Sequence, residues 1–493
     1  MSQPLQAEKG VGAEFMVMET SSNEVAQEHF HTGLALLHNF EYGRAAAAFR
    51  LAQEADPDFV MAYWGEAMTY NHPLWEFRDV ERARDALAKL ALTPEARSAK
   101  VRNSRERLWL DAVETLYSDG PKEERDHAYL AKMRAMLEAD PDDIDARAFT
   151  GLAVLGTSHG GRQIPLYMEA AGILEEGFMA HEMHPGILHY MIHSYDDPVH
   201  APLGERPAAR YAKVAPNAGH AQHMVSHIFH ALGDWERSEA ANINADAVVD
   251  RQLAERGRDP TFCGHYNEWL AYALIQQGKD ASEMVEGCRA EAVAEVAAGR
   301  DYGKIGGYRS DSSSFGTIAL HAGVTSGVWA EPVGWPEDRF LKAQFNLAYA
   351  SLLQSRDDPV AAATALDRMK AIHGKILRAL PDEMPDETAI PSWNERIIAQ
   401  GEAIVTLAGG NSEVGLALLE AAAEAEAAMP VVFGPPAIEK PSYEMLGEEL
   451  LALGRSSKAA GAFQKALAFS PGRYLSLKGL EAARASTSRE IGS

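Results

Sequence analysis

Residues 33–57 read GLALLHNFEYGRAAAAFRLAQEADP, and residues 447–471 read GEELLALGRSSKAAGAFQKALAFSP. In the first stretch Gly33, Ala45, Phe49, Ala52 and Pro57 stand 12, 4, 3 and 5 residues apart. In the second, Gly447, Ala459, Phe463, Ala466 and Pro471 repeat the same spacing, with Leu446 before the glycine. A self-similar unit at both ends of a chain marks a repeat architecture. Between the two ends, helical segments recur in pairs with looser sequence. Segment 101–117 pairs with 125–139, and 218–231 pairs with 235–250 through Gly233-Asp234. Segment 262–277 pairs with 281–297 through Gly278-Lys279-Asp280, and 338–354 with 359–379 through Asp357-Asp358-Pro359. Segment 392–408 pairs with 412–427 through Gly409-Gly410-Asn411. Each break is turn chemistry, and no alternating strand pattern of any length lies between them. The predicted fold class is all-α.

The Gly–Ala–Phe–Ala–Pro pattern resembles the tetratricopeptide repeat (TPR). In that family small residues let two antiparallel helices approach, the Phe fills the joint between repeats, and the Pro follows the second helix. The resemblance implies an α-solenoid of roughly eight to ten helical hairpins with a concave groove. Two stretches are similar to a bacterial subgroup of these proteins. They are LHNFEYGRAAAAF…MAYWGEAMTYNHPLW within 37–75 and HPGILHYMIHSYDDPVHAPLG…APNAGHAQHMVSHIFHALGDW within 184–235. The repeat consensus does not call for the histidines in the second stretch, so function has to be argued from that site rather than from the fold.

The chain has 493 residues, with 46 Lys and Arg against 71 Asp and Glu, a formal net charge of −25. So acidic a chain repels phosphate backbones, which argues against nucleic acid and anionic membrane surfaces as partners. Residues 1–20 carry Glu8, Lys9, Glu14 and Glu19 and no secretory apolar run, and no stretch is apolar enough to span a membrane. Cys263 and Cys288 are the only cysteines, with no CxxC. Their spacing predicts neither a disulfide framework nor a thiolate zinc site, and fits a reducing, cytoplasmic location. The predicted organisation is an N-terminal extension (1–23), an array carrying the histidines (24–298), a Gly-rich loop region (299–336), C-terminal hairpins (337–483) and a tail (484–493). Residues 299–316 (GRDYGKIGGYRSDSSSFG) are predicted to be loop for their Gly and Ser content, and 428–441 (AMPVVFGPPAIEKP) for their four prolines.

Nine of the 18 histidines fall between residues 181 and 230, where an even spread would place about two. Counting Pro216 as position 32 of a 34-residue repeat makes Gly219 position 1 of the next unit. His220, His223, His227 and His230 then occupy positions 2, 5, 9 and 12 of its first helix. At 100° per residue they share a stripe about 80° wide. One repeat length earlier, His189 and His193 take positions 5 and 9, and Asp196 and Asp197 take 12 and 13. The resemblance implies that these positions line the groove.

An i,i+4 histidine pair has its Cβ atoms about 5–6 Å apart, so both imidazoles reach one ion. Neighbouring helices lie about 8–10 Å apart, so the pairs His189/His193 and His223/His227 can converge. Neutral imidazoles with a carboxylate suit a divalent transition metal such as Zn, Fe or Cu. Asp196 and Asp197 are the candidate catalytic carboxylates, open to roles as ligand, orienter or general base. His220, His230, His200, His265, Trp269 and Arg309 are candidate further ligands or substrate contacts, Arg309 beside Tyr302 and Tyr308 in the Gly-rich loop. The leading expectation is a metal-dependent enzyme acting on a small molecule, a hydrolase with zinc or an O2-dependent oxidoreductase with iron or copper. The alternatives are a TPR interaction scaffold for a peptide or protein partner, and a metal-storage or metal-delivery protein.

Overall fold

The computed structural model describes residues 8–307, 309–384 and 389–492; Tyr308, residues 1–7 of the N-terminal extension and residue 493 of the tail lie outside it. The described residues form 23 α-helices, and their only strands are the two-residue pair Asn71–His72 and Phe77–Arg78. They fall into two compact units. One runs to Asp196 and includes His200–Ile228; the other holds Asp197–Val199 and the chain from Phe229.

The two diagnostic stretches fold alike. Glu24–His38 packs on Tyr42–Ala55 in the first unit, and Ser442–Ala452 packs on Ser456–Phe469 in the second. Phe49 lies between Gly33 and Gly65, and Phe463 between Gly447 and Gly479. A Cβ at either Gly33 or Gly447 would stand 2.8 Å from the phenylalanine ring, so the missing side chains are what admit the aromatic wedge. Gly65 and Gly479 leave even less room. These two hairpins establish an all-α helical-repeat fold of TPR type.

In the first unit the succession continues through Val60–Met68 with Val80–Leu90, Ser104–Leu116 with Lys122–Ala139, Ile144–Leu155 with Ile164–Phe178, and Pro185–Tyr195 with Ala201–Val214. Helix starts are marked by polar caps. Asn23, Asn103 and Asp143 each accept the backbone N–H three residues on, satisfying a donor that the helix itself leaves open. Glu24–His38 also packs on Pro185–Tyr195, so the first hairpin turn reaches the region of the histidines. His38 sits there against Gly186, where a side chain would collide with the imidazole.

The second unit departs from expectation in two places. Residues 311–316 are helical, within Asp311–Ser326, and not loop. Ser310 caps this helix, and buried Glu295 accepts the Ser310 hydroxyl and the backbone N–H groups of Asp311 and Ser312. A run poor in helix propensity is thus recruited by capping and by burial of Ser312, Ser313 and Ser314. Cys263 and Cys288 are joined in a disulfide, contrary to the reading of their spacing. The chain reverses between them, bringing the segment before helix His265–Gln276 onto helix Ser282–Ala297, a proximity that no count of intervening residues discloses. A disulfide persists in oxidising surroundings, which removes the cysteine argument for a reducing compartment. Among the described residues no helix is long and apolar enough to cross a membrane.

A buried ion pair also anchors the second unit. The Arg473 guanidinium donates to Glu444, to the Tyr272 hydroxyl at 2.9 Å and to the Glu439 carbonyl at 3.0 Å.

Candidate metal centre

Two helices carry the site with first-unit residues, Pro185–Tyr195 and the Gly219–Leu232 helix as far as Ile228, and they begin 34 residues apart, at Pro185 and Gly219. His184 starts the Pro185–Tyr195 helix as its cap, its Nδ1 accepting the Ile187 N–H at 3.3 Å. That helix presents His189 and His193 and ends at Asp196. The Gly219–Leu232 helix presents His220, His223 and His227. All six side chains are at least nine-tenths buried, from 0% exposed for His189 and His223 to 8% for His220.

Each imidazole is steered by a partner. His189 donates Nδ1–H to the His38 carbonyl at 2.6 Å, which leaves a lone pair on Nε2. That Nε2 is buried and has no hydrogen-bond partner. His227 donates Nδ1–H to Asp196 Oδ2 at 2.9 Å, and its Nε2 faces His223 Nε2 at 3.2 Å. His193 Nδ1 stands 3.4 Å from the same Asp196 oxygen. The other Asp196 oxygen accepts from Arg162, whose guanidinium also donates to the Ser194 carbonyl at 3.1 Å. A carboxylate or carbonyl behind one ring nitrogen, with the other turned inward, is how proteins orient histidine ligands.

Electrostatics favours the ligating states. Burial lowers the His189 imidazole well below its ordinary value, and His193 and His220 add to the effect. Burial also takes His227 down to about 4, against the pull of Asp196. Both rings are therefore neutral at pH 7, as ligation requires. Burial alone would raise the Asp196 carboxyl, but Arg162, His193 and His227 outweigh it and hold Asp196 well below the usual carboxylate range. With both oxygens engaged, Asp196 has the geometry of a positioning carboxylate.

The donor set fits a transition metal. A buried, unpartnered Nε2 on a ring whose proton is pinned to the far nitrogen is a poor feature for a closed core and a natural one for a ligand. A separate buried group, His38, Asp145 and His184, reads differently. His184 uses its Nδ1 lone pair on the helix start and donates Nε2–H to Asp145 at 3.2 Å, leaving no lone pair on that ring for an ion. The Tyr190 hydroxyl donates to His38 at 2.9 Å. This group ties the first hairpin to the Pro185–Tyr195 helix.

The remaining candidates fall in several elements. Asp197 accepts the Val199 N–H at 2.9 Å and belongs to the second unit's short segment 197–199. His200 takes the cap position of Ala201–Val214 in the first unit. His230, His265, Trp269 and Arg309 are residues of the second unit, where His230 and His265 lie 5.0 and 5.7 Å from Trp269, ring to ring, and Arg309 is exposed. The sequence reading missed His38, Phe40 and Arg162. Phe40 is buried with its ring 4.3 Å from His189 and 5.6 Å from His220, and its backbone is left-handed at φ 56°. An aromatic residue in a hairpin turn, where polar residues are the rule, was the available signal.

No protein-family model matches the chain, and no curated protein matches it. Solved structures of TPR proteins do align along most of its length. Yeast Tom70 does so at 11% identity and TM-score 0.29, over 95% of this chain and 90% of that one. The TPR domain of P58(IPK) aligns at 11% and TM-score 0.20, over 94% and 99%. Naa15/Naa10 bound to HypK-THB aligns at 11% and TM-score 0.22, over 94% and 68%. The fold rests on the chain's own paired helices and the shared wedge geometry at its two ends.

Proposed function

We propose that this chain is a helical-repeat protein that binds a divalent transition metal (zinc, iron or copper) through His189, His193, His220, His223 and His227, with Asp196 and Arg162 as positioning residues. The observation carrying the proposal is His189, buried, anchored at Nδ1 by the His38 carbonyl and left with an unpaired Nε2. With zinc the ion would supply a Lewis acid; with iron or copper it would support O2 chemistry on a small molecule. The near-complete burial of the ligands also suits storage or delivery of the metal. Elemental analysis of tag-free protein tests the proposal. Stoichiometric metal in the wild type, lost from a folded His193→Ala/His227→Ala double variant, is the expected result. A wild type with no copurifying metal, and no melting shift with zinc, iron(II) or copper(II), would sink it.

The second reading is an interaction scaffold for a protein or peptide, supported by the repeat fold itself, since stacked hairpins offer an extended surface for a partner. Absence of metal promotes that reading.

A further inference from the structure

Resting on the metal-binding reading, we infer that the histidine cluster takes two ions, one held by His189, His193 and His220 and the other between His223 and His227. The five rings form a closed circuit. Centroid separations are 4.9 Å from His189 to His193, 5.3 Å to His227, 5.0 Å to His223, 6.0 Å to His220 and 5.0 Å back to His189. An ion bound at 2.0–2.1 Å lies about 3.2 Å from an imidazole centroid. Five rings stepped about 5 Å apart around a flat circuit enclose a centre about 4.4 Å from each, too far for one central ion to bond them all.

Two sets of donors lie close together within the circuit. Ring nitrogens of His189, His193 and His220 come within 4.8 Å of one another, three donors for one ion. His223 Nε2 and His227 Nε2 are 3.2 Å apart, close to the edge of about 3.3 Å between two ligands on a tetrahedral zinc. That short contact is held by a single proton. Asp196 fixes the His227 proton on Nδ1, so His223 donates Nε2–H to His227 Nε2, and the second ion takes that proton's place. His223 then carries its proton on Nδ1, which lies 3.5 Å from the Ser226 hydroxyl. One Asp196 oxygen stands behind His193 in the first set and His227 in the second, so a single carboxylate positions a ligand of each ion. Neutral imidazoles do not offset the charge of two dications, and small anions such as hydroxide would offset part of it.

The test is a count. Full-length, tag-free protein is stripped with a chelator, reloaded with cobalt(II), freed of excess metal and assayed for cobalt per chain. All samples carry His159→Ala, so that the exposed Glu123, His127 and His159 group cannot add to the count. Two equivalents are expected, falling to one in His189→Ala/His220→Ala, which leaves the first set a single histidine, and to one in His223→Ala, with melting curves confirming folded protein. Should His223→Ala not fold, His223→Asn keeps most of the volume. One equivalent in the parent overturns the two-ion inference and leaves the metal-binding proposal standing, whereas no cobalt overturns both. Two equivalents that neither variant reduces also overturn the inference, because the metal is then bound elsewhere.

Discussion

Asp196 Oδ2 accepts the Nδ1–H of His227 at 2.9 Å, while its other oxygen accepts from Arg162. A carboxylate in this position turns the imidazole and raises its basicity as a ligand. Asp196→Asn keeps the shape and removes the charge. Metal affinity should fall about 10–100-fold, measured by competition with a chromophoric chelator. The apo-protein should also lose stability, because the buried Arg162 guanidinium loses its charged Asp196 partner. Unchanged affinity in the folded variant would remove Asp196 from the site.

The hairpin at 442–469 contains two glycines whose replacement should act in opposite directions. Gly447→Ala drives a methyl group against Phe463 and should cost about 1–3 kcal/mol. Gly461→Ala meets nothing within 4 Å inside a helix and should gain about 0.5–1 kcal/mol. Thermal melting of both variants checks the pair, and equal shifts would contradict the wedge.

Glu439 gives a pH dependence. Burial raises its carboxyl to about 7, with Oε2 left unpartnered. Because the folded value lies above the unfolded one, the stabilising contribution is present below about 4.5 and is lost as pH rises through 7. Glu439→Gln should therefore leave melting at pH 4.5 nearly unchanged and stabilise the protein at pH 8.5, by up to about 3 kcal/mol. A variant equally destabilised at both pH values would show that the carboxyl is needed ionised.

The Cys263–Cys288 disulfide closes a loop across 25 residues of sequence separation. Chain-entropy reasoning assigns such a crosslink about 3 kcal/mol. Cys263→Ala/Cys288→Ala, or reduction, should lower the melting temperature accordingly, and melting of the double variant should no longer respond to a reductant. A wild type indifferent to reductant would mean the thiols are not joined in solution.

The repeat period carried the sequence reading where neighbours in the array are neighbours in the chain. It located His189 and His193 opposite His223 and His227, because their helices start one period apart. It was blind to contacts that skip repeats. His38 and Phe40 reach the site because the first hairpin packs on the Pro185–Tyr195 helix, an approach the local pattern does not encode. Arg162 comes from the segment just before helix Ile164–Phe178 and looked like any surface arginine. The helix at 311–316 was hidden for another reason. Its stability comes from Glu295, 15 residues before the Ser310 cap, and intrinsic propensity does not register such a partner.

The hydrogen bond from His189 to the His38 carbonyl spans 151 positions of sequence. Helical arrays ordinarily tolerate duplication or loss of a repeat, because each module answers only to its neighbours. Here a module inserted or deleted between residues 42 and 184 would carry the His38 carbonyl away from His189 and strip that ring of its anchor. Between these two points the array has a fixed length: it cannot change its repeat number without giving up this contact.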